Sequence, residues 1–182
     1  RAITNAVKKL RDQDGAAMMD GFSTSIGSGS GTLTLGYMNA ALANIRGNST
    51  EPDPGDAVFV FTPFQYNDLA DTASAIIATG GVAMTAWNGV NEEFVRKYSV
   101  GRLAGAPIML DANIAVASAQ AKGGCFVRDA VIYSELWPLD IAKENDESLR
   151  GTEIVGTMCY GYAERRDSSG VEMHLSSAAP TS

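Results

Sequence analysis

The sequence predicts an α+β fold, with helices gathered early and strands late. Three observations predict it. Two helical periodicities occupy the first 48 residues. Short apolar runs such as AVFVFTP and APIMLDANI follow without regular alternation between strand and helix. A long strand-like segment, TEIVGTMCYGYAER, lies near the end.

The opening segment, RAITNAVKKLRDQDGAAMMDGF, predicts a helix. Ile3, Val7, Leu10, Ala17 and Met18 recur at spacings of three, four and seven. Gly21 is a stop signal. Arg1, Lys8, Lys9, Arg11, Asp12 and Gln13 make a wide polar side, which suits a helix lying along a larger assembly. Next comes SIGSGSGTLT, a glycine- and hydroxyl-rich stretch that reads as loop. LTLGYMNAALANIRGN is a second helix with Leu35, Met38, Leu42 and Ile45 on one face. Thr32 or Thr34 is placed to cap it, and Gly47-Asn48 to end it.

STEPDPGD is a turn-rich loop. AVFVFTP reads as a buried strand, and Pro63 either ends it or starts the next helix. That helix, FQYNDLADTASAIIATGG, turns Leu69, Ala73, Ile76 and Ile77 inward and stops at Gly80-Gly81. EEFVRKY is compatible with strand or helix. APIMLDANI is a short buried strand and a turn.

GGCFVRDAVIY predicts a strand over Gly124 to Val127 and a turn at Arg128-Asp129. ELWPLDIAKEND alternates through Trp137, Leu139 and Ile141 with strand period. Thr152 to Arg165, fully extended, spans ~45 Å at ~3.3 Å per residue. Ordinary strands run about five or six residues. Gly156 and Gly161 permit bends there. VEMHL is a last strand, with Val171, Met173 and Leu175 on one face and Glu172 and His174 on the other. Ser176 to Ser182 reads as a mobile tail.

Composition narrows the function. The 182 residues are 45% apolar and 19% charged, the profile of a globular protein able to bury a core. A net charge of −7 argues against a basic nucleic-acid binder. Cys125 and Cys159 sit far apart in apolar settings, with no disulfide framework or metal spacing, which favours a reduced, cytosolic environment. No apolar run approaches the ~20 residues of a membrane span, and no signal-peptide pattern is visible. The first residue is Arg, so the expectation is that an upstream part is missing.

Candidate chemistry is sparse. Gly27 to Gly31 has the look of a phosphate cradle, but no lysine or arginine lies between Arg11 and Arg46, and no strand leads into it. A flexible connector is the favoured reading. His174 is alone and reads as an exposed strand residue, with no nucleophile in a recognisable motif. Asp111 follows a strand, where α/β enzymes place carboxylates, yet Asp111-Ala112-Asn113 is also a good turn, and the turn is preferred. Cys125 and Cys159 read as buried thiols. Phe59, Phe61, Phe64, Tyr66, Trp137, Tyr160 and Tyr162 have core-like spacing and lack interleaved basic residues. Arg165-Arg166 reads as a solvated strand end or an intersubunit contact. No catalytic, cofactor-binding or metal residue is assigned, and a structural rather than enzymatic role is expected.

The order of these segments resembles the major capsid proteins of tailed bacteriophages. RDQDGAAMMDGF resembles the end of their spine helix. GDAVFVFTPFQYNDLAD resembles their strand-then-helix segment, and RLAGAPIMLDANI the strand that follows. The run from GGCFVRDAVIY to VEMHL is similar to the family's C-terminal part. The resemblance implies the Hong Kong 97 fold: a spine helix, an axial domain and a peripheral long-stranded sheet. It implies a division into residues 1–31 (peripheral, spine helix and hinge loop), 32–132 (axial), 133–165 (peripheral long strands) and 166–182 (return strand and tail). It implies a structural subunit that self-assembles into hexamers and pentamers of an icosahedral phage head around double-stranded DNA. Such a subunit belongs to the virion, is assembled in the host cytoplasm, touches packaged DNA non-specifically and has no membrane partner. Scaffolding, portal and decoration proteins are further partners the resemblance brings. No crosslinking residue carries over. The alternatives are an encapsulin-like nanocompartment shell and, from another class, a phosphate- or nucleotide-binding domain using Gly27–Gly31. On the shell reading, the glycine loop is the joint at which the spine helix changes angle. Leu10 and Ile154 then lie on apolar faces needed for folding or assembly.

Overall fold

The computed structural model describes residues 2–48, 56–78, 102–103, 105–146, 148 and 150–180; the side chains of residues 72–78 and 146 fall outside that description. EEFVRKY, Gly80-Gly81, the STEPDPGD loop short of Asp56, and the inward placement of Ala73, Ile76 and Ile77 lie outside it as well.

The chain opens with helix α1 (Ala2–Ala17), which runs into a 3-10 turn, Met18–Gly21. Strand β1 (Ser25–Ile26) and helix α2 (Leu35–Arg46) follow, then β2 (Ala57–Phe61) and α3 (Pro63–Ala78). The strands β3 (Arg102–Leu103), β4 (Ala106–Leu110), β5 (Val116–Ala117) and β6 (Gln120–Val127) come next. A short 3-10 turn, Arg128–Ala130, leads to β7 (Val131–Asp146) and β8 (Gly151–Glu164), and β9 (Gly170–Ser176) closes the chain.

The central sheet has the order β1-β9-β6-β2-β4-β3, with β5 added on β6. β1 runs parallel to β9, and β2 parallel to β4; the β6 pairs with β9, β2 and β5 are antiparallel. β7 and β8 pair only with each other, as an antiparallel ribbon.

The main core lies between this sheet and α2 and α3. The predicted face of α2 is buried: Met38, Ala41, Leu42 and Ile45 pack on Phe59, Phe61, Cys125, Val171, Met173 and Leu175. Phe59 and Phe61 stack with centroids 5.7 Å apart and are fully buried. Burial of a ring this size contributes about 1.5–3 kcal/mol. Pro63 starts α3 rather than ending β2, because Thr62 caps the helix. Thr62 Oγ1 accepts from the Gln65 backbone N–H at 3.2 Å, and the Thr62 N–H donates back to Gln65 Oε1 at 3.1 Å. This is a complete capping box with proline at the first helical position. Gln65 is fully buried, and its Nε2 also donates to the Ala121 carbonyl at 3.0 Å, which pins the start of α3 to β6.

A second, smaller core covers the other side. Met19, Phe22, Ile114, Ala121 and Ala130 form it, with Val60 and Phe126 against them. It seats the 3-10 turn after α1 on the sheet. β4 departs from the buried strand expected: Ala106 and Ile108 are buried, but Met109 and Leu110 are exposed.

Candidate functional site

The ribbon and α1 form an arm without a core of its own. Successive residues of a strand point to opposite faces. On β8 the even positions face α1. A Cβ on Gly156 would meet Ile3, the Tyr160 hydroxyl donates to Asp14 at 2.6 Å, and Tyr162 lies against Gly15. Tyr133 joins Tyr162 across the ladder, with centroids 5.1 Å apart, and the Arg11 guanidinium sits 5.9 Å from the Tyr133 ring centre. The hydrogen bond to Asp14 pushes the Tyr160 hydroxyl pKa up to about 12. Glu135, accepting from the Tyr133 hydroxyl, raises that pKa too.

At 100° per residue, Ile3, Val7, Arg11 and Gly15 form the stripe of α1 that meets the ribbon. Leu10 falls on its flank and is 52% exposed, so the expected apolar face is shifted by one stripe; α1 buries no residue. Such a helix holds its shape through its neighbours rather than a core.

The other face of the ribbon is exposed along its described residues. Ile132, Trp137 and Val155 lie on it, and Trp137 is 65% exposed directly opposite Cys159. The ladder slips between Glu135 and Trp137, and again between Trp137 and Asp140. Pro138 sits in that irregular stretch, where its missing N–H costs no ladder bond. Leu136, in the same bulge, is 69% exposed. Single exposed apolar residues are ordinary, but here Ile132, Leu136, Trp137 and Val155 are exposed together on a two-stranded ribbon, a structure itself marginal alone.

The base of the arm is clamped to the sheet. The Ala130 carbonyl accepts from the backbone N–H groups of Arg165 and Arg166, and Arg165 pairs with Asp129 at 3.0 Å. The arginine pair thus stands at the end of β8. Asp167 accepts from the Ser23 backbone N–H at 2.7 Å and from its hydroxyl. Phe22 fills the space above Gly170, where any side chain would collide with its ring.

The glycine loop is stitched down, which corrects its reading as a flexible connector. β1 pairs with β9, Gly29 N–H donates to the His174 carbonyl at 2.9 Å, and the Gly31 carbonyl accepts from Ser176 N–H at 2.8 Å. Gly27 and Gly29 have φ of +101° and +72°, and a Cβ on either would strike β9 or the Gln120 side chain. The glycines serve close approach rather than slack. A phosphate cradle is disfavoured by the same facts. The Gly29 N–H is already used, and α2 starts only at Leu35.

His174 and Glu172 are not solvent-facing as expected, because the 3-10 turn covers that side of β9. Glu172 is buried and accepts from Ser25 Oγ at 3.3 Å, with Lys122 Nζ 3.5 Å away. Lys122 also bonds Asp20, and this raises its pKa. His174 is half-buried beside them, in a groove of about 360 Å³ that also takes in Gln13 and Asn113. Asp111 makes the expected turn, its Oδ1 accepting from Asn113 N–H at 2.8 Å. Cys125 is buried and its thiol pKa pushed up to about 12 by desolvation, but Cys159 is exposed on the ribbon, against expectation. Of the aromatic residues expected in the core, Phe59 and Phe61 are there, while Phe64, Trp137, Tyr160 and Tyr162 are not buried. Among the described residues, no three His, Cys, Asp or Glu side chains come together as a metal site. No described helix is long and apolar enough to cross a membrane.

No protein-family model matches the sequence, and no curated protein matches it either. Solved structures do. A structure from Mycobacterium phage Che8 superposes with a TM-score of 0.75 at 17% identity, covering 95% of this chain and 61% of that one. The head structure of Helicobacter pylori bacteriophage KHP40 superposes with a TM-score of 0.71 at 10% identity, covering 96% and 67%. The SrpI encapsulin of Synechococcus elongatus PCC 7942 superposes with a TM-score of 0.62 at 10% identity, covering 100% and 66%. The chain spans about two thirds or less of the length of these proteins. It has the fold of tailed-phage major capsid proteins, as the order of its segments implied.

Proposed function

We propose that this chain is the structural subunit of a closed icosahedral shell, a phage head built of hexamers and pentamers around double-stranded DNA. The observation that carries this reading is the coreless arm. α1 and the ribbon expose Leu10, Trp137, Ile154 and Val155 in a fold shared with phage capsid and head structures and with an encapsulin. An arm of this kind gains its stability by burial against other copies. On this proposal residues 1–31 and 133–165 make the peripheral part, 32–132 the axial part, and 166–182 the return strand and tail. The role is structural rather than catalytic. The particle is a virion component assembled in the host cytoplasm, and scaffolding, portal and decoration proteins are its partner classes. A net charge of −7 keeps the wall from gripping the genome, which must move during packing and release.

The second reading, a nanocompartment shell holding protein cargo, is favoured by the match to the encapsulin over the whole chain. Nuclease treatment of purified particles separates the two. Protected DNA of one fixed length supports the phage head. Particles with protein cargo and no protected DNA support the nanocompartment.

A further inference from the structure

Charge is divided within the arm. Residues 1–17, which include α1, carry four cations against two carboxylates, Asp12 and Asp14, while residues 131–164 carry seven carboxylates against two cations. Lys8 and Lys9 are exposed and make no ion pair with any described residue, and Lys9 points away from the ribbon that the opposite stripe of α1 contacts. Glu144 and Glu153 stand directly opposite each other on the ribbon. Like charges in that relation destabilise a strand pair. Both are exposed, and they lie on the face turned away from α1, since the even positions of β8 are the ones that meet the helix. Within one copy, Lys9 and the acidic face of the ribbon therefore point to opposite sides of the arm, while Lys8 lies on the flank of the stripe that meets the ribbon.

We propose that the Lys8-Lys9 side of α1 in one copy seats on the Glu144–Glu153 face of the ribbon in a second copy. Each copy then offers one half of the contact and needs the other from its neighbour, a head-to-tail arrangement that gives rings where the rotation closes. The neighbour's lysines relieve the carboxylate repulsion, and the exposed Trp137 and Val155 on the same face supply apolar area beside the charges. The inference rests on the shell reading and names which surfaces of the subunit join.

The test uses the full chain in three altered forms: Lys8→Glu with Lys9→Glu, Glu144→Lys with Glu153→Lys, and all four together. The four sites are exposed, and thermal melts check that each form folds. Shell yield is read by sedimentation and electron microscopy. Each pair of reversals alone is expected to lower the yield about tenfold or more, because like charges then face each other across the contact. The four-fold form is expected to recover most of it. Normal yield from either pair, or no recovery in the four-fold form, overturns the pairing and leaves the acidic face to another partner or to solvent. If the unaltered chain forms no shells, the shell reading fails first and the pairing with it. The single forms Lys9→Glu and Glu153→Lys, with the same expectation, serve if a double reversal does not fold.

Discussion

The ring of Phe22 occupies the space that any side chain at Gly170 would need. Phe22 is buried, and Phe126 lies 6.5 Å away between ring centroids. The pair fastens the exit of α1 to the first residue of β9, so it sets where the arm leaves the sheet.

Gly170→Ala is expected to lower stability by about 1–3 kcal/mol, the range for overpacking a filled site. Phe22→Ala removes a ring from the second core and costs about 3–5 kcal/mol. The double variant should lose less than the sum, because the alanine at 170 then has room. Thermal or urea melts of the three variants measure this coupling. Strict additivity would show that the two residues do not interlock.

The stitched glycine loop makes a graded prediction. Gly27→Ala and Gly29→Ala each force a left-handed backbone onto a side chain, at about 1–2 kcal/mol before any clash with β9 or Gln120. Gly31 has no positive φ, and a Cβ there comes only to 3.2 Å from the Tyr37 hydroxyl, so Gly31→Ala should be much milder. Equal, negligible effects at all three positions would restore the picture of a slack joint.

Trp137→Ser, Ile154→Asp and Leu10→Asp alter exposed side chains of the arm. Their melts should stay within about 0.5 kcal/mol of the unaltered chain. Assembly, read by sedimentation, should fall sharply for Trp137→Ser, which lies on the ribbon face turned away from α1. A large loss of subunit stability would mean that these residues serve the fold of one copy instead.

The two thiols should separate cleanly. Cys159 is exposed and should react with a maleimide at once, while Cys125 should react only as the subunit unfolds. The Cys125 pKa is raised in the folded chain, from 9.0 to about 12. Its neutral thiol therefore contributes stability that is fully present below about pH 9 and is lost as pH rises toward about 12. Alkaline melts of Cys125→Ala should show a shallower decline over that window. An unchanged slope would place the alkaline loss elsewhere.

Much of the fold is legible in the residues, and the exceptions have physical causes. The inward face of α2 follows from period alone, since it is set by the chain's own packing. Leu10 lies off the contacting face because the first three turns of α1 meet a ribbon rather than a core, and Arg11 and Gly15 serve that contact as well as leucine would. Glu172 and His174 looked exposed because alternation cannot show that a 3-10 turn from the far end of the chain covers the polar side of β9. The Thr62-Pro63-Phe64-Gln65 capping box is legible in the sequence, a threonine followed three residues later by glutamine around a proline. The arm was half legible. Its strands were plain, but apolar residues fall on both ribbon faces, so alternation does not tell which face serves its own helix and which awaits a neighbour.

Electron microscopy of the purified full chain, at concentrations well above those used for melts, tests the central claim most directly. The account predicts closed particles of uniform diameter, or rings of five and six subunits where closure is incomplete. A clean monomer at every concentration would contradict it, because the exposed arm would then have no partner among copies of itself.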